Sequence, residues 1–286
     1  MNQMNLMKRV STLTLAAVVS VGFTFGATSA NAASATGKVV VAGSTALLPL
    51  TSQGAKEFKK SNPKVSVSVS GSSSIAGPQS VSKGSATIGA CDWDATKAVP
   101  GFNAFKGLTA YKVAVIPFAT IVHTSNKVKN LSTSQLQGIF SGKITNWKQV
   151  GGKDAAIVVV NRKTGSGTRV NYQAKALKGK SFMTKGNYKE VGKSGEMTTA
   201  VGSNPNAIGY VDLAYVKGSI KALSYNGVAA TTTNVKSKKY PVYGVGYFLT
   251  KGPAKGANAA FISYIQSSKF QNGSLKKLKF LPYRGF

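Results

Sequence analysis

The chain has 286 residues, and 37 lysines and arginines outnumber seven acidic residues and one histidine to give a formal net charge of +30. With so few carboxylates, one histidine and one cysteine, the composition argues against a carboxylate-rich or zinc site and rules out an internal disulfide. The spread-out positive charge predicts attraction to anionic polymers, but charge screened within about 8 Å cannot by itself select one small anion.

The first 32 residues are predicted to be a secretory signal peptide. Lys8 and Arg9 form a charged start, residues 13–25 are mostly apolar, and Ala30-Asn31-Ala32 matches a small-x-small cleavage signal. The apolar stretch is too short and too interrupted by Ser, Thr and Gly to favour a membrane anchor. Cleavage would leave 254 residues with a net charge of +28, and no cysteine near the cut is positioned for lipid attachment.

The first third of the mature chain predicts repeated units of strand, polar loop and helix. Apolar runs predict the strands, and valines alternating with serines have the period of a strand in the second one. This alternation favours an α/β sheet with parallel strands. The predicted elements are strands at 38–42, 65–69 and 87–90 and helices at 47–59 and 75–83.

The remaining chain continues the same alternation. Residues 111–122 and 240–249 are long apolar runs that predict strands crossing the molecule, and Ser132 with Gln135 has the spacing of a capping box. Further elements are predicted as strands at 156–160 and 207–211 and helices at 132–140, 170–177, 212–216 and 257–265.

A loop rich in Gly, Ser and Thr lies where the strand at 156–160 leads into a helix. Such a loop leaves backbone N–H groups free at the positive end of a helix dipole, which suits an anion. Ser166 and Thr168 add hydroxyl donors, Gly167 lets the backbone approach a ligand, and Arg162 adds a planar fork of N–H groups. The alternative is a capped helix after a polar turn.

Four polar loops follow predicted strands, at 43–45, 71–74, 91–92 and 162–168. Ligands of open α/β sheets bind at the carboxyl ends of the strands, so we expect these loops to converge. Three of them offer donors for a tetrahedral oxyanion, and the fourth offers Asp92 as an acceptor. Phosphate near neutral pH still carries a proton to donate, whereas sulfate does not. A buried Asp92 would therefore accept phosphate and repel sulfate, with discrimination of up to ~10⁴-fold. The alternative for Asp92 is a strand-end cap.

These motifs resemble those of the phosphate-binding proteins of Pst-type ABC importers, over nearly all of the mature chain. The resemblance lies in Ala42-Gly43-Ser44-Thr45, Gly71-Ser72-Ser73-Ser74, residues 88–92, residues 162–169 and the scaffold stretches 136–147 and 207–211. The chain departs from some relatives because Lys163-Thr164 stands where they carry an acid that would pair with the arginine. Ala46 stands where some relatives have an aromatic residue.

The resemblance implies a two-lobed, type II periplasmic-binding-protein-like α/β fold, in which each lobe is a mixed, mostly parallel sheet flanked by helices. Lobe 1 would comprise residues 37–115 and 223–286, and lobe 2 residues 116–222, with phosphate in the cleft between them. It implies a secreted, monomeric receptor that needs no cofactor or metal and delivers phosphate to membrane permease subunits. The implied phosphate-binding residues are Ser44, Thr45, Ser72, Ser73, Asp92, Arg162, Ser166, Gly167 and Thr168.

Three other functions are compatible with the residues. A cationic adhesin or wall-associated protein would use the charged surface itself, and retention on anionic wall polymers could also accompany phosphate capture. A receptor for another oxyanion, such as sulfate or molybdate, is disfavoured by Asp92. A phosphotransfer or hydrolytic enzyme would lack a metal cluster and a base beside a nucleophile, and no nucleic-acid-binding motif accompanies the charge. His123 and Cys91 are expected to be structural.

Overall fold

The computed structural model describes residues 35–286, so the predicted signal peptide lies outside the described residues. The described chain is a mixed α/β fold in which helices flank an open sheet, as the alternating sequence pattern predicts. The strands are β1 (Gly37–Gly43), β2 (Val65–Gly71), β3 (Ile88–Cys91), β4 (Leu108–His123), β5 (Asn130–Leu131), β6 (Val158–Arg162), β7 (Tyr188–Val191), β8 (Ala207–Asp212), β9 (Ile220–Ala222), β10 (Ser224–Tyr225) and β11 (Tyr243–Lys251).

The helices lie mainly between these strands, and two short 3₁₀ turns, Trp147–Val150 and Leu213–Tyr215, add to them. The helices are α1 (Leu48–Ser61), α2 (Ala76–Ser82), α3 (Thr133–Phe140), α4 (Gly167–Lys175), α5 (Ser194–Gly202), α6 (Thr232–Lys236), α7 (Gly256–Gln266), α8 (Ser268–Asn272) and α9 (Ser274–Lys277). Among residues 35–286, no helix combines the length and apolar character needed to span a membrane.

The main sheet has the strand order β2-β1-β3-β11-β4-β8-β6-β7, with β9 beside β4. β1 is parallel to β2 and β3, and β6 is parallel to β7 and β8. β4 connects the two groups because residues 108–117 pair with β11 and residues 118–122 pair with β8, both antiparallel. The long apolar run predicted to cross the molecule is therefore one strand shared by both halves of the sheet.

Local sequence signals account for the ends of several elements. Pro49 lies in the first turn of α1, where its missing N–H costs nothing, and α1 ends where Asn62 caps it. The predicted capping box is present at α3: the Gln135 N–H donates to the Ser132 hydroxyl over 3.2 Å, and the Ser132 N–H donates to the Gln135 side chain over 2.8 Å.

An aromatic core supports the strand that carries Arg162. Tyr172 of α4 and Tyr210 of β8 are fully buried and stack with ring centroids 4.2 Å apart, and Phe140 packs edge-on against both. The Arg162 N–H donates to the Tyr210 hydroxyl over 3.2 Å, and that hydroxyl donates to the Asn161 side chain. The end of β6 is thus fixed by packing and hydrogen bonds beneath it.

The structure differs from the sequence prediction around this strand. β6 begins at Val158 rather than at residue 156, and it includes Arg162. α4 begins at Gly167 rather than at residue 170, because Ser166 caps it by accepting the Arg169 N–H. β7 and α5 were not predicted, since Lys189 and Glu190 give β7 an exposed, charged centre that hides its strand character. Elsewhere in the described chain, the short elements β5, β9, β10, α6, α8 and α9 were not predicted either.

Candidate functional site

Polar residues from five strand ends meet in one buried group. The strands β1, β2 and β3 end in one half of the sheet, and β6 and β7 end in the other. The residues of this group are each at most 3% exposed, which is unusual for polar side chains. The group, called the polar cluster below, consists of Ser44, Thr45, Ser74, Asp92, Arg162, Ser166, Thr168 and Ser194.

Asp92 lies directly after β3 and accepts hydroxyl hydrogen bonds on both carboxyl oxygens. Ser44 donates to Oδ1, and Thr168 donates to Oδ2 over 3.4 Å. Burial raises the pKa of the Asp92 carboxyl, while the hydroxyl of Ser44 and the charge of Arg162 counteract that rise. Because both oxygens accept and neither donates, this carboxylate is arranged as an acceptor for a protonated ligand.

Arg162, the last residue of β6, carries the positive charge of the polar cluster. Its guanidinium donates to the Gly192 carbonyl over 2.7 Å and to the hydroxyls of Ser194 and Thr45 over 3.3 Å each. Its Nε is buried with no hydrogen-bond partner among the described residues. Burial lowers the pKa of Arg162, but a guanidinium stays protonated in proteins, so this charge can serve an anion.

Helix α4 directs its N-terminus at Asp92. Gly167 is its first residue, and a Cβ built there would lie 2.5 Å from both the Asp92 Cβ and the Ser74 Oγ. Only glycine permits this close approach. The Ser166 hydroxyl caps the helix by accepting the Arg169 N–H over 3.3 Å, and it keeps its own O–H to donate. The alternative predicted for this segment, a capped helix after a polar turn, is therefore present. The same segment leaves hydroxyl and backbone donors that could serve an anion.

Seven of the nine predicted ligand residues lie at this site, and two lie elsewhere. Ser72 is exposed and Ser73 is half-buried, and both line a surface cavity of about 400 Å³ together with Lys163 and Lys193. From the same loop, Ser74 is buried instead, and its hydroxyl accepts the Asp92 N–H over 3.3 Å. Ser74 is the serine of this loop that the structure brings to Asp92.

Two buried residues at the site were missed by sequence reasoning. Ser194 begins α5, and its N–H donates to the Thr45 hydroxyl over 3.1 Å while the two hydroxyls lie 3.0 Å apart. The signal was Gly192-Lys193-Ser194-Gly195, a Gly/Ser loop between a strand and a helix. Asp212 ends β8 and is fully buried, whereas the sequence suggested only the start of a short helix.

Other reactive residues have structural surroundings. Burial raises the pKa of the Cys91 thiol well above its ordinary value, which suppresses the reactive thiolate. His123 lies at the end of β4 with its Nδ1 2.7 Å from the Ser125 hydroxyl. Within residues 35–286, no three His, Cys, Asp or Glu side chains are grouped so as to hold a metal ion.

Comparison with known proteins gives the family of the chain. A family model described as a PBP superfamily domain matches residues 28–269. The phosphate-binding protein PstS of Bacillus subtilis is 34% identical over 249 residues, which cover 87% of this chain and 81% of the relative. PstS of Borreliella burgdorferi is 27% identical over 245 residues, covering 82% of this chain and 86% of that protein.

Solved structures show the same likeness. A protein from Clostridium perfringens, assigned as a phosphate ABC transporter substrate-binding protein and solved with bound phosphate, aligns with a TM-score of 0.80. It is 33% identical, and the match covers 87% of this chain and all of that one. An ABC-type phosphate transport receptor from Vibrio cholerae aligns with a TM-score of 0.67 at 27% identity, over 85% of this chain and 99% of that one. The chain therefore belongs to the PBP superfamily and, within it, to the PstS family of phosphate-binding proteins.

Proposed function

We propose that this protein captures inorganic phosphate outside the cell and delivers it to an ABC-type importer in the membrane. The observation that carries the proposal is the polar cluster, in which one buried arginine, several hydroxyl donors and one acceptor carboxylate meet at converging strand ends. Its relatives are binding proteins rather than enzymes, and capture and release of phosphate require no bond to be broken.

The polar cluster can replace the water shell of a tetrahedral anion. Thr45, Ser166 and Thr168 supply hydroxyls, Gly167 supplies a backbone N–H at a helix N-terminus, and Arg162 supplies charge-assisted hydrogen bonds. Asp92 accepts the proton that phosphate carries and sulfate lacks. A micromolar Kd corresponds to about −8 kcal/mol, which a few charge-assisted bonds of about 1.5–3 kcal/mol each can supply after the cost of ordering the site.

Phosphate has to exchange partners with side chains that now contact one another. Arg162 and Thr45, and likewise Thr168 and Asp92, are joined by bonds of 3.3–3.4 Å, the long end of the hydrogen-bond range. Such weak contacts are readily replaced by shorter bonds to an anion. Ser72 and Ser73 remain proposed ligands only if their loop moves inward, whereas Ser74 already lies at Asp92.

We assign the two lobes as residues 37–115 with 223–286 and residues 116–222. The strand pairing supports this division, because β4 changes partners from β11 to β8 between Pro117 and Phe118. Asp92 and Thr45 then belong to lobe 1 and Arg162 to lobe 2, so an anion held by all three would draw the lobes together. We also propose that the protein works as a monomer, as the resemblance implies.

Isothermal titration of ligand-free protein with phosphate and with sulfate at neutral pH tests the function. Phosphate is expected to bind with a Kd of about 1 µM or tighter, and sulfate far more weakly. A flat phosphate trace overturns the proposal, and tight sulfate binding would favour a receptor for another oxyanion.

The charged surface supports a second role, retention of the protein at the cell wall. Lysine pairs such as Lys59-Lys60, Lys238-Lys239 and Lys276-Lys277 are exposed. A chain with a formal net charge of +30 would be held by anionic wall polymers through such charges. Protein bound to isolated cell walls is expected to elute with salt and not with phosphate; elution by phosphate alone would contradict this.

A further inference from the structure

A buried acid beside the polar cluster, Asp212, is not one of the proposed phosphate ligands. Asp212 is the last residue of β8, is fully buried, and has no hydrogen-bond partner for either carboxyl oxygen among the described residues. It precedes the 3₁₀ turn Leu213–Tyr215, yet its side chain does not cap that turn. A capping function therefore does not explain why an acid stands here.

The surroundings of Asp212 tie it to the proposed phosphate site. Its turn reaches the site because the Tyr215 hydroxyl donates to the Thr45 carbonyl over 2.8 Å. Burial raises the pKa of the Asp212 carboxyl well above its ordinary value, and the Asp92 charge raises it further. The nearby backbone N–H groups of Asp212 and Ala214 and the charge of Arg162 lower this pKa. An ionised carboxylate that is buried without a partner costs free energy. Protonation of Asp212 removes this cost and also changes the net charge of the site by one unit.

The other titratable or charged groups near Asp212 act less strongly on it. β8 packs against β4, β6, α4, α5 and its own following turn. The titratable or charged residues of those elements and of β8 itself are Tyr111, Lys112, His123, Arg162, Arg169, Tyr172, Lys175, Glu196, Tyr210 and Tyr215. Of these, Arg162 is the one whose charge stabilises an ionised Asp212, and a bound anion would compete with Asp212 for that charge.

We propose that Asp212 acts through Arg162 to couple phosphate capture to proton uptake, binding a proton when the anion engages the arginine and so setting the upper pH limit of capture. This inference rests on the proposed function. With Asp92 and Asp212 both ionised, one arginine would face two acids before any phosphate entered. A bound anion adds repulsion and removes part of the arginine's support, so it shifts Asp212 towards its protonated form.

The direction of the pH effect follows from linkage. At low pH Asp212 is neutral with or without phosphate, so it does not affect affinity. Between the free and the bound titration midpoints, each phosphate bound takes up as much as one proton, and affinity falls by up to about tenfold per pH unit. Above both midpoints Asp212 is ionised in both states, and capture stays weakened.

Isothermal titration of wild type and Asp212→Asn with phosphate, from about pH 6 to about pH 9.5 in buffers of different ionisation enthalpy, tests the coupling. Phosphate's own ionisation is the same for both proteins and cancels in their difference. Asp212→Asn is expected to take up fewer protons, by as much as one per phosphate, and to lose affinity less steeply with rising pH. Asp154→Asn, which removes the same charge from an exposed site, is the matched control and should behave as wild type.

The possible results distinguish a failure of the role of Asp212 from a failure of the proposed phosphate binding. Phosphate binding with equal proton uptake and equal pH profiles in wild type and Asp212→Asn overturns the role of Asp212 and leaves the function intact. No phosphate binding by wild type at any pH overturns both.

A measurement on the unaltered protein covers the case in which Asp212→Asn does not fold. The chain has four aspartates, so carbon-13 labelling of their carboxyl groups gives four signals to follow. Variants of Asp92, Asp94 and Asp154 assign three of these signals and leave the fourth for Asp212. The midpoint of the Asp212 signal is expected to rise when phosphate is added; an unchanged midpoint overturns the proposal.

Discussion

Asp92 has two properties that suit a phosphate-selective site: its side chain is buried, and both of its carboxyl oxygens accept hydrogen bonds. It is buried, so a ligand group that repels it cannot be screened by water, and its two oxygens accept hydroxyls from opposite sides. A ligand that offers a proton completes this pattern, whereas a fully deprotonated anion places two negative charges together in a dry site. Selectivity is therefore expected to reside in this carboxylate and affinity in the donors around it.

Replacing Asp92 with asparagine should weaken the preference for phosphate over sulfate by at least about tenfold. The amide removes the charge that repels sulfate and supplies an N–H that can donate to either anion. Titration of both anions into Asp92→Asn measures the ratio of their affinities. Asp94→Asn is the control, because Asp94 caps a nearby turn by accepting from Thr96 and stays outside the polar cluster. Equal selectivity in wild type and Asp92→Asn would remove the acceptor role.

Replacing Arg162 with lysine should weaken phosphate binding by about 100-fold while keeping the positive charge. The guanidinium serves Gly192, Ser194 and Thr45 at once, and a single ammonium cannot reproduce that planar geometry. Loss of one charge-assisted bond of about 1.5–3 kcal/mol accounts for a change of this size. Lys163→Arg, at the exposed next residue, is the matched control for titration. A Kd within about threefold of wild type would show that charge alone suffices.

At this scale, the sequence could reveal residues in distinctive motifs but not those placed by three-dimensional packing. Asp92 and Arg162 could be found because each follows a clear apolar strand. Ser194 was missed although it lies in a Gly/Ser loop, because the strand before that loop is short and charged at its centre. The choice among Ser72, Ser73 and Ser74 depends on how the loop turns after β2, which spacing does not encode.

Helix α4 brings its N-terminus to Asp92 only because its first residue lacks a side chain. Asp92 and Ser74 lie in lobe 1 as proposed, and Gly167 lies in lobe 2, so this contact joins the two lobes. The backbone φ of Gly167 is not in the left-handed region. Alanine at this position would therefore be disfavoured by the lack of space for its methyl group rather than by backbone strain. Substitutions at this position thus report on the approach of the lobes.

Gly167→Ala should weaken phosphate affinity by at least about tenfold, because the added methyl would lie 2.5 Å from Asp92 and Ser74. Gly195→Ala is a close match: it lies in the first turn of α5, and a Cβ there would meet no atom within 4 Å. That control should bind phosphate as wild type does and gain slightly in stability from helix propensity. Titration together with thermal unfolding separates the two effects, and equal affinity in both variants would refute the steric argument.

Helices and strands were predictable from the sequence where hydrophobic periodicity and capping residues indicated the same element. They were less predictable where tertiary contacts determined where the element begins. The capping box at Ser132 fixed the start of α3, and the valine–serine alternation identified β2. The start of α4 was placed three residues late, because Gly167 and Thr168 have low helix propensity that the Ser166 cap and the contact with Asp92 outweigh. Tertiary context overrode local preference there.

On the scale of the whole molecule, β4 is the element that both halves of the sheet share. Its first part pairs with β11 and its second part with β8, so motion between the two proposed lobes would bend this strand near its middle. The sequence indicated such a strand by its length alone. It could not give the register, because every residue from Val113 to Val122 is buried and the run has no alternating face.

Tyr215→Phe tests whether contacts between the lobes favour the closed form. In the proposed division Tyr215 lies in lobe 2 and Thr45 in lobe 1, and the Tyr215 hydroxyl donates to the Thr45 carbonyl over 2.8 Å. Tyr215 is not one of the proposed phosphate ligands. Losing one such bond, worth about 1 kcal/mol, should weaken phosphate binding about fivefold and leave the phosphate-to-sulfate ratio unchanged.

Small-angle scattering supplies the matching structural measurement. The compact mature chain is expected to have a radius of gyration of about 18 Å when phosphate is bound and a larger one without it. Tyr215→Phe should need more phosphate than wild type to reach the compact value, because its closed form has lost a stabilising bond. Tyr283→Phe, which removes a hydroxyl that accepts from the Arg284 Nε–H over 3.4 Å, should follow wild type. If Tyr215→Phe instead changes selectivity, the hydroxyl acts on the ligand; if it changes neither affinity nor closure, the bond between the lobes does not govern the equilibrium.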